Sequence, residues 1–201
     1  MSVRLITPPA VEPVDLESLK RHLRVEHAED DALILTLGRA AREFGEMYTR
    51  RAWITQTWER TLNSFASVIR LPFPPLLSVT SIKYVDAAGV TQTVAPAGYT
   101  VDQAGEFAHV YPSYQANWPL DLRAHPRGVA IRFVAGYGNT PETIAAPQSA
   151  SVPGAGLAAV KLIVGDLYKN REESVVGNII NRVPFAARRL LDTMRVFGGE
   201  Y

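Results

Sequence analysis

Residues 48–60 read Tyr48-Thr49-Arg50-Arg51-Ala52-Trp53-Ile54-Thr55-Gln56-Thr57-Trp58-Glu59-Arg60, and the chain changes its period inside this stretch. Before it, apolar residues recur at helical spacing: Leu33, Leu37, Ala40 and Ala41, Phe44, then Met47 and Tyr48. From Trp53 onward, Trp53, Thr55, Thr57 and Glu59 alternate with Ile54, Gln56, Trp58 and Arg60, β-branched and aromatic in character and without a helical stripe. A helix therefore gives way to a strand within a few residues. The chain mixes both kinds of structure, and the switch falls near residue 53.

Working toward the N-terminus, Asp15 is the expected N-cap for a first helix carrying Leu16, Leu19 and Leu23, with Pro13 ending the extended entry. Glu29, Asp30 and Asp31 place acidic charge where the second helix begins, at the positive end of its dipole. Arg39–Glu43 and Arg42–Glu46 stand at i, i+4 and are expected on its polar side.

Toward the C-terminus, strand-like runs follow at residues 67–71, 79–85, 90–94, 99–102, 109–111 and 129–135. Asp86-Ala87-Ala88-Gly89 is a short hairpin connection with Gly89 available for positive φ. Leu71-Pro72-Phe73-Pro74-Pro75 is an edge or connector, because three prolines remove ladder donors. Trp53 and Trp58 are expected to anchor the first strand in the core. Residues 139–156 hold three prolines and a single charge, Glu142, and read as a long loop. Helix returns at residues 157–171, apolar nearly all round. A final helix opens at Pro184 and carries Ala187, Leu190, Leu191, Met194 and Phe197, with Gly198-Gly199 as a stop.

The predicted fold is α+β: a small helical bundle with an inserted antiparallel β-sandwich or barrel and a C-terminal docking arm. Its boundaries are 1–52 and 157–172 for the helical body, 53–138 for the β insertion, 139–156 for the loop and 173–201 for the arm.

Composition narrows the function by exclusion. The 201 residues are 47% hydrophobic and 20% charged, ordinary for a globular chain. A net charge of +1 argues against a protein devoted to coating nucleic acid. The absence of cysteine removes disulfides, thiolate metal sites and a cysteine nucleophile. No apolar run approaches the ~18 residues of a membrane span, and residues 1–10 lack a signal-peptide core, so no membrane partner is expected and the protein reads as soluble and intracellular when made.

The search for chemistry leaves no catalytic residue, no metal ligand set and no cofactor. There is no G-x-S-x-G, G-x-x-x-x-G-K-[ST] or H-E-x-x-H pattern. His22 and His27 would point about 140° apart on one helix, and His109 and His125 have no acidic neighbour at ligand spacing. Gly154-Ala155-Gly156-Leu157-Ala158-Ala159 matches G-x-G-x-x-A and opens a helix, but no strand precedes it, so it reads as a linker entering a helix. Arg182, Arg188, Arg189 and Arg195 make the C-terminal segment basic, a surface for a partner protein or nucleic acid or a solvated helix face. Asp192 can pair with Arg188 or Arg195.

Read together, these segments resemble a known family. Leu5-Ile6-Thr7-Pro8-Pro9, the run from Val14 to Val25, Asp30-Asp31-Ala32-Leu33-Ile34, and Tyr48-Thr49-Arg50-Arg51-Ala52 leading into Ile54-Thr55-Gln56-Thr57-Trp58 are similar to the first part of tailed-phage (siphophage-type) head–tail connector, or adaptor, proteins, which also occur in gene transfer agents. Pro75-Leu76-Leu77-Ser78-Val79-Thr80-Ser81-Ile82, Phe133-Val134-Ala135-Gly136-Tyr137-Gly138, Leu167-Tyr168 with Asn170-Arg171-Glu172, and Val183-Pro184 with Leu190-Leu191 continue the same order. Residues 139–156 depart from it, since the family passes quickly from the glycine-aromatic-glycine exit to its core helix.

The resemblance implies a non-enzymatic virion protein, assembled in the bacterial host cytoplasm. It implies a homo-oligomeric ring that joins the portal protein to a stopper or tail-completion protein and lets DNA pass without specific binding. It also implies portal docking by the C-terminal arm, carried onto Val183, Pro184, Phe185, Leu190, Leu191 and Arg195. The rival readings are a nucleic-acid-binding module using Arg182, Arg188 and Arg189, and a neighbouring head-completion protein.

Overall fold

The structure, a computed structural model, describes residues 2–123, 125–139, 152–170 and 184–197. The fold is α+β, as expected, and the chain divides into two units. One comprises Met1–Pro9, Thr55–Tyr137 and Phe197–Tyr201; the other comprises Ala10–Ile54 and Gly138–Val196.

The second unit is helical: α1 (Leu16–Leu23), α2 (Asp31–Thr49), α3 (Gly154–Lys169) and α4 (Phe185–Asp192). Asp15 caps α1, its carboxylate accepting from the Ser18 amide at 2.7 Å. The helix stops at Arg24, whose backbone turns left-handed (φ 59°) while the Val25 amide donates to the Lys20 carbonyl at 3.0 Å. Lys20, nearly buried, donates to Asp31 at 2.7 Å and ties α1 to the start of α2.

On α2 the buried face is not the stripe of large apolar residues. It is Ile34, Gly38, Ala41, Arg42, Gly45 and Thr49, one step round the helix from Leu33, Leu37, Phe44 and Met47. The glycines explain the offset. A Cβ on Gly38 would lie 2.9 Å from Leu19 Cδ1, and one on Gly45 would lie 2.4 Å from Trp53 Cη2. Side chains from elsewhere fill the space that this face leaves open. Trp53 is therefore a core residue of the helical unit, not the anchor of the strand that follows it, which begins only at Gln56. Arg42, expected on the polar side, is instead buried and bound to Glu12 and Glu46.

The other unit contains β1 (Ser2–Thr7), β2 (Gln56–Leu62), β3 (Ile69–Arg70), β4 (Leu76–Val85), β5 (Thr91–Thr93), β6 (Tyr99–Asp102), β7 (His109–Pro112) and β8 (Val129–Ala135). They form an open five-stranded sheet, β1-β2-β8-β4-β5, and a three-stranded sheet, β3-β7-β6, with every pair antiparallel and neither sheet closed into a barrel. β8 alternates strictly, with Val129, Ile131, Phe133 and Ala135 fully buried at the sheet centre. The hairpin forms as read: Gly89 takes φ 84°, its amide donates to the Asp86 carbonyl at 3.0 Å, and the Asp86 carboxylate accepts from the Val90 amide at 2.9 Å.

The extended entry before Pro13, grouped with the helical body in the reading of residues 1–52, holds a strand: Ser2–Thr7 is an edge strand paired with β2. Its register shifts between Leu5 and Thr7 and most of its side chains are exposed, so no apolar alternation marks it in sequence.

Glu59 joins three neighbouring strands, accepting from Arg4 at 3.0 Å and Arg132 at 2.8 Å. Burial alone would raise its pKa, but the hydrogen bonds and charges of Arg132 and Arg4 outweigh burial and hold it below the ordinary carboxylate value. A carboxylate whose pKa is lower folded than unfolded stabilises the fold above its unfolded value and loses that contribution as pH falls through its folded value. Glu59→Gln should therefore be less stable than the wild type at about pH 7, with the gap narrowing toward about pH 3. Urea melts at the two pH values measure it, and a gap independent of pH would contradict the assignment.

Candidate docking site on the C-terminal helix

Pro184 sits at the start of α4, where its missing N–H leaves nothing unsatisfied. Ala187 and Leu191 are fully buried, and beyond the helix Met194 and Val196 are buried too. These four residues seat α4 against α2 and α3. Gly156 gives Met194 its room, since a Cβ there would lie 3.3 Å from the Met194 Sδ and Cε. The backbone leaving α4 is fixed by the Val196 amide donating to the Thr49 carbonyl (3.0 Å) and by Arg51 Nε donating to the Met194 carbonyl (2.6 Å).

Tyr48, near the end of α2, is the hub of the polar side. Its hydroxyl donates to Asp192 Oδ1 at 2.6 Å and accepts from Arg188 Nε at 3.1 Å. The Arg195 guanidinium lies 5.0 Å from the centre of the Tyr48 ring and that of Arg188 at 5.9 Å, within cation–π range. Asp192, read in sequence as a partner for the arginines, thus also receives the Tyr48 hydroxyl. On the outward side, Phe185 is 71% exposed, with the Arg189 guanidinium 4.8 Å above its ring.

The residues picked from sequence therefore separate. Arg182 and Val183 lie outside the described residues. Leu191 is locked in the core and cannot touch a partner while α4 is seated. Pro184, Leu190 and Arg195 are half-buried, and Phe185, Arg188 and Arg189 face outward. Sequence reading missed Tyr48 and Arg51. No local signal could have found them, because Tyr48 and Asp192 are 144 positions apart.

A cavity of about 790 Å³ opens between the end of α1 and the second half of α3, lined among others by His22, Arg24, Leu162, Asp166 and Lys169. Burial, then the nearby charges of Lys161 and Lys169, push the His22 pKa down, so the ring is neutral at neutral pH. Its polar walls already serve the fold: Tyr168 donates to Asp30, and Asp166 accepts from Asn170 at 3.1 Å. Among the described residues no three His, Asp or Glu side chains gather in a way that could hold a metal ion, and no helix is long and apolar enough to cross a membrane.

No protein-family model and no curated protein matches the chain. Among solved structures it is similar to a chain of the neck of an empty gene transfer agent particle computed with C6 symmetry, at 26% identity and a TM-score of 0.73, with 99% of each chain covered. It is equally similar to a chain of the virion of a native gene transfer agent particle (26% identity, TM-score 0.74, 99% of each). A third likeness is to a chain in the neck of the native particle computed with C12 symmetry (26% identity, TM-score 0.71, 99% of each). A likeness over the full length of both chains supports a structural component of the head–tail junction of a phage-like particle.

Proposed function

We propose that the chain is an adaptor subunit: a non-enzymatic ring component that joins a portal protein to the stopper or tail-completion protein and encircles passing DNA. The observation that carries this reading is the full-length likeness to neck chains of gene transfer agent particles. Rotational symmetry of those necks fits a closed ring of identical subunits with head-to-tail contacts. A net charge of +1 fits a channel wall that must not hold phosphates tightly. Reconstruction of particles from producing cells tests it: density for this chain is expected as a ring between portal and stopper, and density elsewhere, or none, overturns it.

Portal docking is assigned to the outward side of α4, with Phe185 as apolar anchor and Arg189 stacked on it, the residue types that dominate binding energy at interfaces. Arg188 and Arg195 lean on Tyr48, which favours a protein surface over a DNA grip. Deleting the whole arm would strip Leu191, Met194 and Val196 from the core, so surface changes are the cleaner test. Phe185→Asp with Arg189→Glu should leave the thermal melt unchanged and weaken portal binding by about 30-fold or more. Unchanged affinity in a titration with purified portal rings would remove the docking role.

A further inference from the structure

α2 carries more apolar surface than its own unit uses. At about 100° per residue, Leu33, Leu37, Ala40, Phe44 and Met47 fall on one arc, about 120° round the helix from the centre of the buried arc. Met47 is 72% exposed, Ala40 is exposed, and Leu33, Leu37 and Phe44 are only half-buried. The stripe runs about 21 Å along the helix and contains no charge. The Arg39–Glu43 pair, at 3.6 Å, lies along its edge.

We propose that this stripe is one of the two lateral contacts between neighbouring copies of this chain in the ring, an inference that rests on the adaptor reading above. A closed ring requires each subunit to offer one surface to the copy before it and a different one to the copy after it. An uncharged stripe suits another protein surface and offers nothing to phosphate, which excludes DNA as its occupant. Its size fits a contact made only in an assembly. About 21 Å by 10 Å of helix face is far below the roughly 800 Å² per partner of a stable complex. Such a patch holds once ring closure makes the contact effectively intramolecular, and leaves the free chain monomeric. The opposing surface of the next copy is therefore met in the particle, not in dilute solution.

Two experiments separate this inference from the reading it rests on. First, Met47 is replaced by the photo-crosslinking residue p-benzoylphenylalanine, and purified particles are irradiated. The expected adduct joins two copies of this chain, identified by mass spectrometry of the crosslinked peptide. An adduct to another particle protein, or none in particles that contain the chain, overturns the lateral contact and leaves the adaptor reading standing. Absence of the wild-type chain from particle necks overturns both. Second, Ala40→Glu with Met47→Glu alters only exposed positions and should leave the melting temperature of the free chain unchanged while reducing its copies per particle at least tenfold. Wild-type copy number with this pair of substitutions would also overturn the contact.

Discussion

Replacing Trp53 by alanine should destabilise the chain by about 4 kcal/mol, a large share of the 5–15 kcal/mol typical of a folded protein. The indole is fully buried. Its Nε1 donates to Thr49 Oγ1 at 3.1 Å, and the Trp53 backbone amide donates to Glu46 Oε1 at 2.8 Å. Its ring edge fills the spaces left by two glycines, 2.4 Å from where a Cβ on Gly45 would stand and 3.3 Å from one on Gly156. Because Gly156 also faces Met194, a void here loosens the seat of α4 as well. A second substitution tests the geometry by its sign. Gly45→Ala gains about 1 kcal/mol of helix propensity but forces a methyl group into the indole, and overpacking of that kind costs about 1–3 kcal/mol. It should destabilise the wild type and stabilise the Trp53→Ala variant, where the obstacle is gone. Urea unfolding of the four proteins in this cycle gives the coupling directly, and an equal effect of Gly45→Ala in both backgrounds would show that the ring does not occupy that space.

The same site shows what sequence reading reaches. The Asp15 cap, the Asp86–Gly89 hairpin and the strand at residues 129–135 were legible because each is a local device, complete within a few residues. The face of α2 was not. Periodicity marks its large apolar residues for burial, whereas burial goes to Ile34, Arg42 and the small residues Gly38, Ala41, Gly45 and Thr49, with Leu19 and Trp53 packed against the two glycines. A periodic pattern identifies a helix and its apolar arc, but which part of the arc is covered depends on partners far away in the chain. The docking residues follow the same logic. Leu191 and Phe185 look alike in sequence, six residues apart, and only the packing of α4 sends the first to the core and the second outward. β1 escaped notice because an edge strand held by its ladder needs no apolar alternation.

Arg42 is the second position where a single change should be severe. Its side chain is 4% exposed, yet it stays charged, because hydrogen bonds and charge from Glu12 and Glu46 more than offset the penalty of burial and hold its pKa above the ordinary value. Nε donates to Glu12 Oε2 at 2.7 Å and Nη1 to Glu46 Oε2 at 2.6 Å, so one fork ties the segment before α1 to α2. Arg42→Leu fits the volume but leaves two carboxylates facing a buried apolar group. Breaking a buried pair from one side costs about 3–5 kcal/mol, and the lower figure applies because Glu12 keeps some contact with water. Arg42→Lys keeps the charge without the fork and should lose less, about 1–2 kcal/mol. The cost lies in the stranded carboxylates and not in lost attraction, so Glu12→Gln and Glu46→Gln added to Arg42→Leu should recover more than half of the loss. The amide oxygen that Glu46→Gln introduces can still accept from the Trp53 backbone N–H, which keeps that contact out of the comparison. Chemical unfolding of the single and triple variants decides the point: a triple variant no more stable than Arg42→Leu would mean that the ion pairs themselves, not the cost of leaving carboxylates unpaired, hold α2 to the segment before α1.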